Sequence, residues 1–344
     1  MRRRHAAALA ITPLLAIAAL AGGVPASAAP ASASAASAAT ATAGSAMSAG
    51  FSASPTTDTR KLVTVTGAFG RAPKVKIPAV PGSGALYIKT VIKGTGAKLT
   101  KGQSLIGDFA VYDWRGKTHK LIGSTYPTGL PTLFTGPLLP GLEKALIGQK
   151  LGSRVLAVLP PADAFGPGGD PGIGVGPGDT VVFVVDMLAS VGDTAGPSGK
   201  WLSNGGGALP RVTAGTAGKG PKITIPKTAA PKTLRIKTLI KGCGPKGTKG
   251  EFIVVQYAGV IWRTKKGFDS TWSHRQPFGA TIGVGQVIKG WDKGLVGQTV
   301  GSRVLLVIPP GDGYGPVGAP SAGIKGTDTI VFAVDILAAA ASTR

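Results

Sequence analysis

The sequence predicts an α+β protein in which one antiparallel β-sheet, wrapped around a single short α-helix, occurs twice in tandem. Three observations carry that prediction. Gly (54) and Pro (27) are abundant among the 344 residues, which favours turn-rich β structure over long helices. Apolar residues alternate in several short stretches and follow a helical period in one. The second half of the chain repeats the first.

The repeat sets the domain plan. Pro73-Lys-Val-Lys-Ile-Pro78 returns as Pro221-Lys-Ile-Thr-Ile-Pro226, and Ile88-Lys-Thr-Val-Ile-Lys-Gly-Thr-Gly96 returns as Ile236-Lys-Thr-Leu-Ile-Lys-Gly-Cys-Gly244. Residues 144–167 match 293–316 at 15 of 24 positions, including the shared run Gly-Ser-Arg-Val-Leu. The copies span 60–192 and 208–340, and the Gly/Ser-rich stretch between them, 193–207, reads as a short linker.

Ahead of the first copy, Met1-Arg-Arg-Arg-His5 is a positive leader to an apolar run, Ala6 to Val24, and Ala26-Ser27-Ala28 supplies small residues for cleavage. Residues 1–28 therefore read as a secretory signal peptide cut near Ala28. Residues 29–59, rich in Ala, Ser, Thr and Gly, bury too little apolar surface to offset their ordering entropy and read as a flexible spacer. The expected location is secreted or extracellular, with retention at the cell surface a further expectation. Lys and Arg total 38 against 15 Asp and Glu, a net charge of +23, which falls to +20 once Arg2, Arg3 and Arg4 leave (23 − 3). Such a cation suits anionic cell-wall polymers or a membrane surface. The Lys are dispersed without interleaved stacking aromatics, so no nucleic acid is expected. One Cys and three His offer no material for a metal cluster, and neither metal nor cofactor is expected.

Within the second copy, Ile253, Val255 and Tyr257 alternate as in a half-buried strand. Arg303-Val-Leu-Leu-Val-Ile308 and Thr329-Ile-Val-Phe-Ala-Val-Asp-Ile-Leu337 are further strands bounded by Gly/Pro turns. Ile288, Trp291 and Leu295 fall at helical spacing, and Gly297 supplies the stop. A sheet packed on that one helix buries both.

Six pieces of the second copy come in register: Val255-Gln-Tyr-Ala-Gly259, Gly267-Phe-Asp-Ser270, Pro277-Phe278, Gly285-Gln-Val-Ile-Lys-Gly-Trp291, Gly313-Tyr-Gly315 and Ile330-Val-Phe332. Together they closely resemble the FKBP-type peptidyl-prolyl cis/trans isomerases. The resemblance covers 233–338 and, through the repeat, reaches 86–189 more weakly. It implies rotation of X–Pro bonds in unfolded or flexible proline-containing polypeptides, here during the folding of exported proteins, and a macrolide as a ligand. It also assigns roles. Trp291 forms the pocket floor; Tyr257, Phe278, Val287, Ile288 and Phe332 are walls; Phe268 and Ile324 complete the rim. The Ile288 N–H and the Tyr314 hydroxyl bond substrate carbonyls, and Asp269 is the buried carboxylate beside Tyr257. Asp269, Tyr257, Tyr314 and Trp291 are thereby the catalytic set. The alternative is a non-catalytic protein that uses the same fold to bind clients or the cell wall.

Three departures stand out. His274, with Arg275 beside it, occupies the position of a family basic residue near the Asp, which weakens the restraint on Asp269. Gln286 replaces a common Glu, and Lys325-Gly326 replaces prolines, which makes the rim loop more mobile. The first copy departs further, with Phe109 for Tyr257, Ile122 for Phe268, Gly123 for Asp269, Leu142 for Trp291 and Phe165 for Tyr314, while Phe183 matches Phe332. Its core strand Arg154-Val-Leu-Ala-Val-Leu159 is intact, so it is expected to fold with weak activity or none.

Overall fold

The computed structural model describes residues 58–82, 84–216 and 218–341; the signal peptide and all but the last two residues of the spacer lie outside the described residues. The first copy contains β1 (Tyr87–Ile92), β2 (Gln103–Arg115), β3 (Thr118–Ser124), β4 (Thr132–Phe134), α1 (Pro140–Leu146), β5 (Arg154–Leu159) and β6 (Thr180–Gly192). They form one antiparallel sheet in the order β1-β5-β6-β2-β3, with β4 also paired to β2. The connecting stretch contributes β7 (Lys200–Trp201), and the second copy contains β8 (Arg235–Lys241), β9 (Phe252–Ile261), β10 (Gly267–Ser270), α2 (Thr271–His274), β11 (Phe278–Thr281), α3 (Lys289–Leu295), β12 (Arg303–Ile308) and β13 (Ile330–Ala340). Its sheet runs β10-β9-β13-β12-β8-β7, with β11 on β9. The expected α+β class, tandem repetition and helix position are all found, and Gly297 ends α3 with φ +84°.

Helix α3 closes tightly on the sheet because two of its residues lack side chains. A Cβ on Gly290 would lie 2.6 Å from Ile308 Cγ2, and one on Gly294 2.5 Å from Leu306 Cδ2. The same closeness turns Trp291 and Leu295 into the core. At the helix start, the Asp292 carboxylate accepts the N–H groups of Gly283 (2.7 Å) and Gly285 (2.8 Å), fixing the loop that precedes Val287.

The expectation of half-buried strands is too simple. Val254 and Gln256, which share the outer face of β9, are as buried as Ile253 and Val255. The outer faces are covered by elements whose contacts lie far away in sequence. In the second copy a small ribbon, Leu209–Val212 paired with Ile223–Thr224, lays Val212, Ile223 and Ile225 over Leu239, Leu305, Val307 and Val331. In the first, Thr64–Thr66 and Lys74–Lys76 form the matching ribbon, and Val63 and Ile77 cover Leu156, Val158 and Val184.

An arginine staples each ribbon. Arg303, 1% exposed, makes a bidentate pair with Asp335 (2.6 and 2.7 Å) and donates to the carbonyls of Thr213 (2.9 Å) and Ala214 (2.6 Å). Arg154 does the same with Asp186 and the carbonyls of Gly67 and Arg71. A buried guanidinium requires every donor to be met. The pattern explains why the shared Gly-Ser-Arg-Val-Leu run includes a charge within an apolar strand.

The stretch read as a linker is docked on the second copy. Ser198 and Gly199 donate to the Gly301 carbonyl (3.0 and 3.1 Å), and β7 pairs with the end of β8. Glycine serves close approach here, since a Cβ on Gly199 would sit 2.0 Å from the Lys241 oxygen. The copies themselves meet through one apolar cluster of Ile106, Leu133, Ala189 and Val191 against Phe252, Val254, Leu337, Ala338 and Ala340. By strand register Ile106 is equivalent to Val254, Ala189 to Ala338, and Val191 to Ala340. The contact therefore joins the same face of both copies, the arrangement of an isologous two-fold interface.

Candidate active site

The sheet curls over α3, and the site's side chains come from four strands, the helix and two loops of the second copy. Tyr257 enters from β9, Asp269 and Phe268 from β10, Phe278 from β11, Trp291 from α3 and Phe332 from β13. Val287 and Ile288 precede α3, while Tyr314 and Ile324 come from the loop between β12 and β13. Nine of the ten residues form one cluster, and the tenth, Asp269, accepts a short hydrogen bond from the Tyr257 hydroxyl. Ile324, expected at the rim, is packed into the wall and nearly inaccessible.

The aromatic rings meet edge to face. Trp291 lies 5.2 Å from Tyr257 (83°), 5.3 Å from Phe332 (85°) and 6.1 Å from Phe278 (79°), centroid to centroid. Phe268 reaches Phe332 at 5.4 Å. Each such pair contributes about 0.5–1.5 kcal/mol beyond its area, so the box is stiff. Its walls could not close without Gly259, where a Cβ would come within 2.7 Å of Phe268 and 3.0 Å of Phe332.

The backbone at Tyr257 is held in turn by the start of α2. Its N–H donates to Thr271 Oγ1 (2.8 Å), and the hydroxyls of Ser270 and Thr271 donate to its carbonyl (both 3.2 Å). Burial above all, and then the bond to Asp269, push the Tyr257 phenol far up from its usual range. Burial and the Asp269 charge push Tyr314 up as well, so both phenols remain protonated donors at neutral pH. Tyr257 spends its proton on Asp269. The Tyr314 hydroxyl and the Ile288 N–H find no protein acceptor among the described residues and remain available to a ligand.

The departures resolve individually. Neither His274 nor Arg275 forms an ion pair with Asp269 among the described residues, so Tyr257 is its hydrogen-bonding partner. The Gln286 Oε1 accepts the Thr281 N–H at 3.3 Å. The Lys325-Gly326 loop is pinned, contrary to expectation. Asp328 accepts the Lys325 N–H (2.8 Å) and both arms of Arg263 (2.7 and 2.9 Å), and a Cβ on Gly326 would fall 1.8 Å from the Pro316 oxygen. Hydrogen bonds replace the stiffness that proline would provide. Gly259, Thr271, Asp292 and Asp328 escaped the sequence reading, although the repeat carried a signal for three of them: Val111 stands at the place of Gly259, and Ser124-Thr125 and Asp179-Thr180 return as Ser270-Thr271 and Asp328-Thr329.

In the first copy the corresponding positions are packed with apolar side chains. Phe109 is fully buried, and Val111, also buried, stands where Gly259 lets the Phe268 and Phe332 rings approach the strand. A Cβ on Gly123, where Asp269 would stand, lies 3.1 Å from Val111 Cγ1. The strand register places Thr132 opposite Phe278's position and Phe134 at that of Ala280, so the aromatic group moves two residues along the strand. Phe134 then packs edge-on against Phe109 at 5.9 Å.

A family model described as FKBP-type peptidyl-prolyl cis-trans isomerase matches residues 101–188 and 243–337. An FK506-binding protein of Streptomyces anulatus is 37% identical over 118 residues, 34% of this chain and 95% of that protein. One from Neisseria meningitidis is 43% identical over 105 residues, 30% of this chain and 94% of that protein. The crystal structure of AtFKBP13 is 33% identical with a TM-score of 0.30, covering 33% of this chain and 97% of that one. With two matched regions that together span more than half of its length, the chain belongs to the FKBP-type peptidyl-prolyl cis-trans isomerases, as a protein of tandem domains.

Proposed function

We propose that the second domain, 208–340, carries the isomerase activity and that the first, 60–192, is weak or inactive as an enzyme and retained for binding. The observation that carries this reading is the Tyr257–Asp269 pair set in an aromatic box with two free donors at its mouth, against an apolar, filled counterpart in the first domain.

The chemistry follows from the bond. Rotation about an X–Pro amide costs about 18–20 kcal/mol because resonance is lost, and it takes tens to hundreds of seconds unaided. The twisted imide is less charge-separated than the planar one, so a dry pocket favours the transition state over the ground state. The prolyl ring sits over Trp291 between Tyr257, Phe278 and Phe332. The Ile288 N–H and the Tyr314 hydroxyl hold carbonyls on either side of the rotating bond. Asp269 fixes Tyr257 and presents negative charge near the amide carbon as it loses conjugation. A macrolide such as FK506, for which the bacterial relatives are named, would occupy the same box.

The substrates we infer are proline-containing segments of exported chains, since slow X–Pro isomers prolong aggregation-prone intermediates. That inference rests on the leader 1–28, the spacer 29–59 and the charge of +20 after cleavage, which also favours association with anionic wall polymers or membrane surfaces. High salt separates docking on the wall or membrane from catalysis, because charge-driven docking weakens with ionic strength while isomerisation changes little.

The test is isomerisation of a short X–Pro peptide by the full chain and by its Asp269→Ala and Trp291→Leu variants. Loss of turnover in both supports the assignment. Undiminished turnover in both would overturn it and move the activity to the first domain.

A further inference from the structure

The segment that bears Asp269 and Phe278 is braced from outside its own sheet. Immediately after Asp269-Ser270-Thr271, the Trp272 side chain is wedged between two glycines. A Cβ on Gly220, in the loop that leads to the ribbon strand Ile223–Thr224, would lie 2.5 Å from Trp272 Cδ1. A Cβ on Gly196, in the stretch joining the domains, would lie 3.8 Å from Cη2. The indole N–H is buried without an acceptor, so the ring is placed by packing and not by a hydrogen bond. Gln256, next to Tyr257, is fully buried and donates through Nε2 to the Asp193 carbonyl (2.7 Å), at the very end of the first domain's sheet. Gln276, two residues before Phe278, lies against Gly136 of the first domain, where a Cβ would be 2.7 Å from its Nε2.

We propose that the first domain, the docked connection and the second domain's own ribbon loop at Gly220 form a platform that positions the Tyr257–Asp269 pair, with Gln256 as the positioning residue towards the first domain and Trp272 as the one towards the connection and ribbon loop. Thr271 carries the effect to the site, since its hydroxyl holds both the N–H and the carbonyl of Tyr257. Gln256 acts from the preceding residue on the same strand. A first domain without catalytic groups then has a mechanical role in the second domain's chemistry. The proposal rests on the assignment of catalysis to the second domain.

The test uses the full chain with four variants: Trp272→Ala, Trp272→Phe, Gly220→Ala and Gln256→Met, with Asp269→Ala as reference. Peptide isomerisation is resolved into kcat and KM, and folding is followed by thermal unfolding. Groups that act only by positioning the transition-state contacts lower kcat and kcat/KM together and leave KM alone. The expected result is a three- to tenfold loss of kcat in Trp272→Ala, Gly220→Ala and Gln256→Met, with most of it restored in Trp272→Phe. Should Trp272→Ala unfold the domain, Gly220→Ala and Gln256→Met decide. Values of kcat within twofold of the parent in those two would overturn the proposal, provided that Asp269→Ala has lost activity. Full activity in Asp269→Ala would instead remove the underlying assignment.

Discussion

Replacing Gly259 by alanine adds one methyl group at the narrowest point of the aromatic box. Gly in the middle of a strand ordinarily costs about 0.5–1 kcal/mol relative to Ala, so the exchange would stabilise an unconstrained strand. Here the new Cβ falls 2.7 Å from Phe268 Cζ, 2.9 Å from its Cε1 and 3.0 Å from Phe332 Cε1, which is well inside van der Waals contact. Phe332 is buried in the sheet and cannot yield, whereas Phe268 is half-buried at the rim and can swing outwards. Overpacking of this kind costs about 1–3 kcal/mol, and the edge-to-face contact of Phe268 with Phe332 accounts for about 0.5–1.5 kcal/mol of what is lost. If about 1–2 kcal/mol of that falls on the bound transition state, kcat/KM drops about 5- to 30-fold, at 1.36 kcal/mol per decade. Exchange spectroscopy on an X–Pro peptide measures the rate, and aromatic proton shifts report the displacement of Phe268. Unchanged kcat/KM with a displaced Phe268 would refute the argument that the rim aromatic shapes the site. An unshifted Phe268 would refute the steric premise.

Other outcomes follow from the same geometry. Arg303→Met strands Asp335, whose carboxyl burial already pushes up, and orphans two ribbon carbonyls; the second domain is expected to lose about 3–5 kcal/mol by denaturant titration, with much of it recovered in Arg303→Met/Asp335→Asn. In the first domain, burial and the neighbouring Asp179 charge push Asp113 up to about 6. Its folded form therefore holds a proton that the unfolded chain releases near 4, and its contribution to stability declines as pH rises from about 4 to 6. Asp113→Asn should accordingly raise the melting temperature at pH 7 and change it little at pH 4; equal effects at both pH values would contradict this. Gly326→Ala cannot fit 1.8 Å from the Pro316 oxygen, so the loop bearing Tyr314 and Ile324 must open, with faster amide exchange and a higher KM.

Much of this was readable before any coordinates. Alternation, the Ile288–Trp291–Leu295 spacing and the internal repeat are local or near-local patterns, and they placed the strands, the helix and the tandem repetition. The ten site residues came from a resemblance, and the fold gathers all of them. What the chain did not disclose depends on contacts between distant residues. Arg303 lies in an apolar strand, and its partners, Asp335 and the carbonyls at 213 and 214, are 32 to 90 positions away. Glycines in the connecting stretch carry the composition of a flexible tether, yet their missing side chains are what let the backbone settle on the sheet. Nothing local distinguishes Ile106 or Val254 from their neighbours; only the assembled molecule makes them meet.

The way those equivalent faces meet bears on how two such different domains share one chain. In a pair of identical subunits every substitution appears on both sides of the axis at once, and a change that ruins one pocket ruins its twin. Joining the halves covalently removes that constraint. Val111 and Phe134 can pack apolar against Phe109 in the first domain while Trp291, Asp269 and Phe278 stay at the corresponding places of the second, and the shared face holds the halves together throughout. Each half is then free to change its interior without changing the other, because a substitution on one side of the shared face is no longer repeated on the other.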